Sequence, residues 1–517
     1  MGSPEVKADA LTTTKLTATP LGADAPVTGV RAVSAALGPP RLAAASASAA
    51  ASTPAATSVL AATSVSAATS VLAATSAPAA ASAPAAASAP AATSAPAATS
   101  APAATNATSD FAPTAPGRAT SAPPAPHYLQ PLLKTPFHDR ARALSQLDSF
   151  IPWSGYTTVD VFTNVEQEYF AIRNATTLSD LTPMVKYRIT GPGALAFLNR
   201  LMTRDIAKLK VGRVAYCVWC DDAGHLIDDG TVFRMSETEY RLCTAERQLD
   251  WLLSSAIGFE GVLIEEITDQ IAALAMQGPT SCAALKSAGL TGVERLKPFE
   301  IGAFDLNGMS ITVSRTGFTG DLGYELWMDP RDAERVWDTL MAAGRTRGIR
   351  PIGSKALNIA RIEAGFLQPN VDFVSSAHTV LMDRDRSPLE LGLEWLVDFD
   401  KPHFTGRRAL LKEKQRGAAR KLVGLDIEGN KPAHNALLYS DRGGRREVGN
   451  VTSATWSPTA KRNIALAMID APHFEIGRTV WADIYLNREL VWERRMVRAR
   501  VVERPFFAPE RRKATPP

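Results

Sequence analysis

Cysteine is scarce in this chain: four in 517 residues, Cys217, Cys220, Cys243 and Cys282. So few thiols suggest no disulfide framework. Cys217 and Cys220 form a CxxC, but no second pair follows, which argues against zinc. The context Tyr216-Cys217-Val218-Trp219-Cys220 reads as a strand, whose positions three apart face opposite sides. Buried structural thiols in a reducing cytoplasm are expected, and no metal. Net charge is also small, +4 from 56 basic and 52 acidic residues, and gives no footprint for nucleic acid. A run of ~18 apolar residues is missing, so no membrane-spanning helix is expected. The start, Met-Gly-Ser-Pro-Glu-Val, has neither a basic region nor an apolar one, which does not support a secretory signal. Val6 stands where a myristoylation motif wants Ser or Thr.

Bulky apolar side chains are sparse in residues 1–126. A hexamer recurs there over positions 58–105, ending as Ser100-Ala101-Pro102-Ala103-Ala104-Thr105. Such a tract has little surface to bury against its chain entropy. Pro78, Pro84, Pro90, Pro96 and Pro102 interrupt any helix the alanines favour. A disordered tail is expected over 1–126, a globular domain over 127–416, a smaller β domain over 417–507, and a short tail over 508–517.

The remaining sequence alternates helical and strand periodicities. Helices are predicted over 143–147, 165–174, 194–202, 248–257, 330–344 and 354–364. Strands are predicted over 185–190, 213–220, 229–235 and 240–244, with a strand–turn–helix unit over 271–288. Asp329 is a plausible N-cap before Pro330. Beyond Gly417, short runs at 421–428, 447–454, 463–469, 479–485 and 489–502 suggest a small barrel or sandwich. The fold class is α+β.

One stretch is unlike the rest: Arg315-Thr316-Gly317-Phe318-Thr319-Gly320-Asp321-Leu322-Gly323-Tyr324-Glu325-Leu326. Its glycines allow positive φ and close backbone approach between two strands, and it presents Glu325 at its edge. It resembles the pattern R-[TC]-G-Y-T-G-E-D-G-[FV]-E-I of the glycine-cleavage T-protein, or aminomethyltransferase, family. Other segments agree in order: Leu178 to Met184, Gly224-His225-Leu226-Ile227-Asp228-Asp229, Gln277-Gly278-Pro279, Arg361-Ile362-Glu363-Ala364-Gly365, Phe404-Thr405-Gly406-Arg407, and Val451-Thr452-Ser453. The resemblance covers about residues 130–507.

The resemblance implies a three-lobed α+β body around a hole for tetrahydrofolate, with a C-terminal β-barrel. It also implies transfer of a one-carbon unit from a small methylated donor or a lipoyl-carrier-bound methylamine, with no metal. By the family pattern Asp228 is the catalytic carboxylate near the reacting folate nitrogen, while Asp229 turns away. Glu325 accepts hydrogen bonds from the pterin, where a carboxylate suits two adjacent N–H donors. Met184 packs on the folate ring, Trp395 walls the cavity, and Phe318 stands where the family has Tyr. The family's A-R-D is Ala356-Leu357-Asn358 here, and Lys355 is the nearest cation able to replace that Arg. These departures keep a second activity open, demethylation of a small N-, O- or S-methylated compound. A non-catalytic folate-binding accessory role is a third reading. It is disfavoured because His403 stands where those relatives carry Cys. A flavin-linked amine dehydrogenase would need G-x-G-x-x-G upstream, and only the Ala/Pro tract lies there.

Overall fold

The computed structural model describes residues 131–516; the expectation of a disordered segment over 1–126 lies outside them. The body is built on two large sheets and a three-stranded one of order Leu133–Lys134, Tyr156–Val161, Ser149–Trp153. The six-stranded sheet has the order Ile301–Leu306, Met309–Ser314, Gly323–Met328, Ala272–Gln277, Thr177–Asp180, Arg350–Pro351. The five-stranded sheet has the order Arg213–Cys220, Leu226–Arg234, Glu239–Thr244, Val185–Thr190, Leu263–Glu266, antiparallel throughout.

Each large sheet buries one face under helices and the other against its neighbour. Helices Ser281–Ala288 and Ala333–Gly344 cover the six-stranded sheet, packing Leu285, Val336 and Leu340 on Leu274, Met276 and Leu326. Helices Ala194–Leu201 and Leu249–Ser255 cover the five-stranded one, with Phe197, Leu198 and Leu252 on Tyr187, Ile189 and Val232. Between the sheets lie Leu181, Val214, Phe233, Cys243, Ala273, Ala275 and Trp327. Phe233 meets Trp327 edge-on at 5.3 Å, an arrangement worth about 0.5–1.5 kcal/mol beyond its area.

The C-terminal strands close into a barrel: Arg420–Ile427, Arg462–Asp470, Glu447–Ser457, Leu437–Tyr439, Thr479–Arg488, Val491–Val502. The strand pattern alone left barrel and sandwich open, and the barrel that the resemblance implied is the one formed. Closure comes from the last strand pairing back on the first, Gly424 opposite Val502. Ala454, Ala465, Ala467, Ala482 and Ala499 lie inside, small residues that suit the narrow interior of a barrel with few strands. After the barrel the chain returns to the body, where Arg511 grips Asp321 at 2.7 and 2.8 Å.

Local expectations met the structure unevenly. Helices Val165–Asn174 and Ser354–Glu363 stand where periodicity put them, and Asn164 caps the first through Glu166 N at 2.9 Å. The helix expected over 143–147 instead spans His138–Leu144. Long-range packing decides it: Phe137, at its start, lies against Trp337 at 5.8 Å. Strands Ser149–Trp153, Tyr156–Val161, Leu263–Glu266 and Leu437–Tyr439 were not foreseen. They are short, and their neighbours rather than their own alternation define them.

Candidate functional site

The glycine-rich stretch is a tight loop feeding the strand Gly323–Met328. Its glycines serve two purposes. Gly320 takes φ 70°, a conformation that disfavours side chains. Gly317 and Gly323 enclose the amide of Gln277: a Cβ at either would fall 2.0–2.1 Å from its Oε1. That amide donates to Thr316 O at 3.3 Å and Tyr324 O at 3.2 Å, and accepts from Thr319 Oγ1 at 3.0 Å. The Gln-Gly-Pro turn and the glycine-rich loop, 40 residues apart in sequence, are thus one packed unit.

This unit aims Glu325 into the layer between the sheets. Glu325 lies opposite Ala275 on one side and Ser314 on the other, and shares a face with Trp327. Its Oε2 accepts from Thr316 Oγ1 at 2.6 Å. Burial pushes its pKa up to about 7, against the hydrogen bonds from Thr316 and Ser314. Met184 packs into the same layer.

The two aspartates lie on the strand Leu226–Arg234. A bulge leaves Ile227 without a partner: Trp219 pairs with Asp228 and Cys220 with Leu226. From Asp228 to Arg234 the pairing is unbroken, so the phase of the aspartates follows from plain alternation along that stretch. Counting back by twos from Phe233, which faces the six-stranded sheet, Thr231 and Asp229 face it too. Asp228 shares the helix-covered face with Trp219. It is 1% exposed, and its Oδ2 accepts from Gln248 Nε2 at 3.0 Å. Asp229 reaches Tyr216 instead, whose hydroxyl donates to Oδ2 at 2.6 Å. Alternation therefore separates the pair as expected: Asp228 is turned under the helices, and Asp229 to the opposite face, where its neighbours Val218 and Tyr216 pack on the cluster of Leu391, Leu393 and Leu396. Desolvation, then the charge of Asp229, pushes Asp228 well above the usual carboxylate range. Desolvation raises Asp229 too, opposed by the Tyr216 hydrogen bond.

The other expected residues are spread out. Trp395 is 64% exposed and its ring lies 6.2 Å from that of Tyr216. Phe318, 38% exposed, stacks on Phe366 at 5.5 Å. Lys355 is not brought to Glu325 or Asp229; its Nζ pairs with Asp160 at 3.0 Å. Cys217 and Cys220 are buried in different clusters, on opposite faces as their spacing predicts. No group of His, Cys, Asp and Glu fit to hold a metal occurs among the described residues.

Two residues of the layer escaped sequence reasoning. Tyr216 lay in the segment read only for its cysteines, although its alternation with Val214 places it on the inter-sheet face. Arg241 lies over the rings of Trp327 at 5.5 Å and Phe233 at 6.0 Å. Its buried Nη1 has no acceptor among the described residues.

Comparison with known proteins agrees with this architecture. Residues 138–401 match the GCVT N-terminal domain, and residues 420–508 the glycine cleavage T-protein C-terminal barrel domain. An aminomethyltransferase of Halothermothrix orenii is 32% identical over 378 residues, 72% of this chain and 99% of that protein. The Bacillus subtilis aminomethyltransferase is 34% identical over 69% of this chain and 94% of its own. A trimethylamine-oxide aldolase of Ruegeria pomeroyi is 36% identical over 70% of this chain, but that match spans only 46% of the aldolase. Among solved structures, aminomethyltransferase T of the glycine cleavage system from Bartonella henselae shares the fold, with TM-score 0.64 and 24% identity, covering 73% of this chain and 98% of that one. The chain belongs to the glycine cleavage T-protein family.

Proposed function

We propose that this protein is a tetrahydrofolate-dependent one-carbon transferase of the aminomethyltransferase kind, with the folate held between the two sheets. The observation that carries the reading is Glu325, a buried carboxylate delivered into that layer by the glycine-rich loop and held by Thr316. The donor set fits a reduced pterin. A carboxylate suits the paired N–H donors of an aminopyrimidine edge, and the unpartnered Nη1 of Arg241 suits a carbonyl. Met184 offers a polarisable surface to a flat ring. When bound, tetrahydrofolate supplies the nitrogens that accept the one-carbon unit.

The protein's own part is orientation and charge. Glu325 fixes the ring by its polar edge. Asp229, rather than Asp228, is the carboxylate able to stabilise positive charge developing on that face or to hold a proton there. Asp228 supports the strand from behind through Gln248.

A second reading is demethylation of a small methylated compound. Similarity to the trimethylamine-oxide aldolase favours it, as does Ala356-Leu357-Asn358 where the family has A-R-D. A methylated small molecule, or a methylamine on a lipoyl carrier, is the partner each activity needs, and a cytoplasmic location suits both. No helix of the described residues is long and apolar enough to cross a membrane. Purified protein incubated with tetrahydrofolate and a panel of methylated donors separates the readings, with folate products identified by mass spectrometry. Methylene-folate with ammonia supports aminomethyl transfer and methyl-folate supports demethylation. No turnover of any donor, with folate bound, leaves the accessory role.

A further inference from the structure

Tyr216 and Asp229 stand on adjacent strands and on the same face. Their register is diagonal, Tyr216 opposite Thr231 and Val218 opposite Asp229, so the backbone ladder itself sets their separation. The phenol donates to Oδ2 at 2.6 Å, the short length of an O–H bond to a charged acceptor. Oδ1 accepts no hydrogen bond from another residue among those described. One oxygen is anchored and the other is left for a ligand. The Tyr216 ring cannot swing away easily. It packs on the cluster containing Leu391, Leu393, Leu396 and Phe506 and meets Trp395 on its exposed side.

We infer that Tyr216 is the positioning residue of the one-carbon site: it fixes the rotamer of Asp229 and favours its ionised form. This rests on the placement of Asp229 in the proposed function. The charged groups around the pair are Asp228, next in the chain on the other face, Arg204, whose Nη1 donates to Tyr216 O at 3.2 Å, and Arg504, which lies beside Tyr216 and is tied to Leu391 O at 3.0 Å. Arg241 lies further along the same face of the five-stranded sheet, and Glu325 is on the six-stranded sheet. A ligand that touches Oδ1 senses whether that carboxyl carries a proton, so its affinity follows the titration of Asp229. Without the phenol proton the ionised form loses a hydrogen bond and the pKa of Asp229 rises.

The probe is 5-formyltetrahydrofolate, a stable reduced folate, titrated calorimetrically into the full chain between about pH 5 and about pH 9, a range that spans shifted carboxyl groups. Asp229→Asn identifies the inflection that belongs to Asp229, since Glu325 titrates in the same range. Tyr216→Phe is expected to move that inflection up by about one pH unit while affinity at high pH stays within about threefold of wild type. An inflection that does not move overturns the inference. So does an equal loss of affinity at every pH, which marks simple repacking. If Tyr216→Phe fails to fold, 3-fluorotyrosine at position 216, a more acidic donor, is expected to move the inflection down, and no movement counts against the inference. Failure of the wild-type protein to bind the folate at all overturns the functional reading and this inference with it. Binding whose pH curve Asp229→Asn leaves unaltered rejects the role of Asp229 alone.

Discussion

Asp228 and Asp229 are neighbours in the chain and face opposite sides of one sheet: Asp228 meets Gln248 beneath the helices, and Asp229 meets Tyr216 on the other face. Their variants should therefore differ. Asp229→Asn is expected to lower folate-dependent turnover by about 10²–10³, the scale for losing one preorganised electrostatic group. Asp228→Asn keeps an acceptor for Gln248 and is expected to turn over at near the wild-type rate. Asp228→Ala leaves that amide unpaired and should cost about 1–3 kcal/mol in denaturant unfolding. Steady-state rates of the two Asn variants decide the assignment, and the reverse order would restore Asp228 to the reacting face.

Glu325→Gln should weaken reduced-folate binding by about 1–3 kcal/mol, the range for a hydrogen bond to a charged group. Calorimetric titration of wild type and variant measures it. Equal affinities would remove Glu325 from the site.

The same substitution should show in stability without ligand. Glu325 has its pKa pushed up to about 7 from an ordinary 4.5. Between those values the unfolded chain has released the proton and the folded chain has kept it. Stability therefore falls as pH rises through that window. Gln carries no such penalty, so Glu325→Gln should gain on wild type by about 2–3 kcal/mol between about pH 5 and about pH 8. Thermal melts at the two pH values test this; a constant difference between the proteins would mean that Glu325 is not buried in the free protein.

Arg173 is the hub of a buried network, paired with Glu363 at 2.6 Å and Asp321 at 3.3 Å. Arg173→Leu leaves Glu363 without its cation, while Asp321 keeps Arg511, and should destabilise by about 3–5 kcal/mol, read as the shift in denaturant midpoint. Because Asp321 belongs to the glycine-rich loop, folate affinity should fall as well.

Deletion of residues 1–126 should leave melting temperature and turnover unchanged, since their composition offers no core to lose. Loss of solubility or folding in the shortened protein would contradict this.

Much of the molecule was legible in its residues. Alternation and helical periodicity located the elements that bury one face. The glycines at 317, 320 and 323 marked a loop where backbone must pass close to something. Sequence could not say that the something is the amide of Gln277, because only folding brings the two turns together. Nor could it give the phase of the aspartates. Strand alternation requires Asp228 and Asp229 to diverge, but which one lies under the helices depends on which face of the strand Leu226–Arg234 the helices cover, and that is fixed only by tertiary packing. Lys355 shows the same limit: its nearness to the expected position in sequence did not bring it to the site, because the strand Tyr156–Val161 offers Asp160 first. Local patterns are set by each residue's own backbone and burial. Direction, partnership and the pairing of Tyr216 with Asp229 belong to contacts between strands, which only the tertiary structure decides.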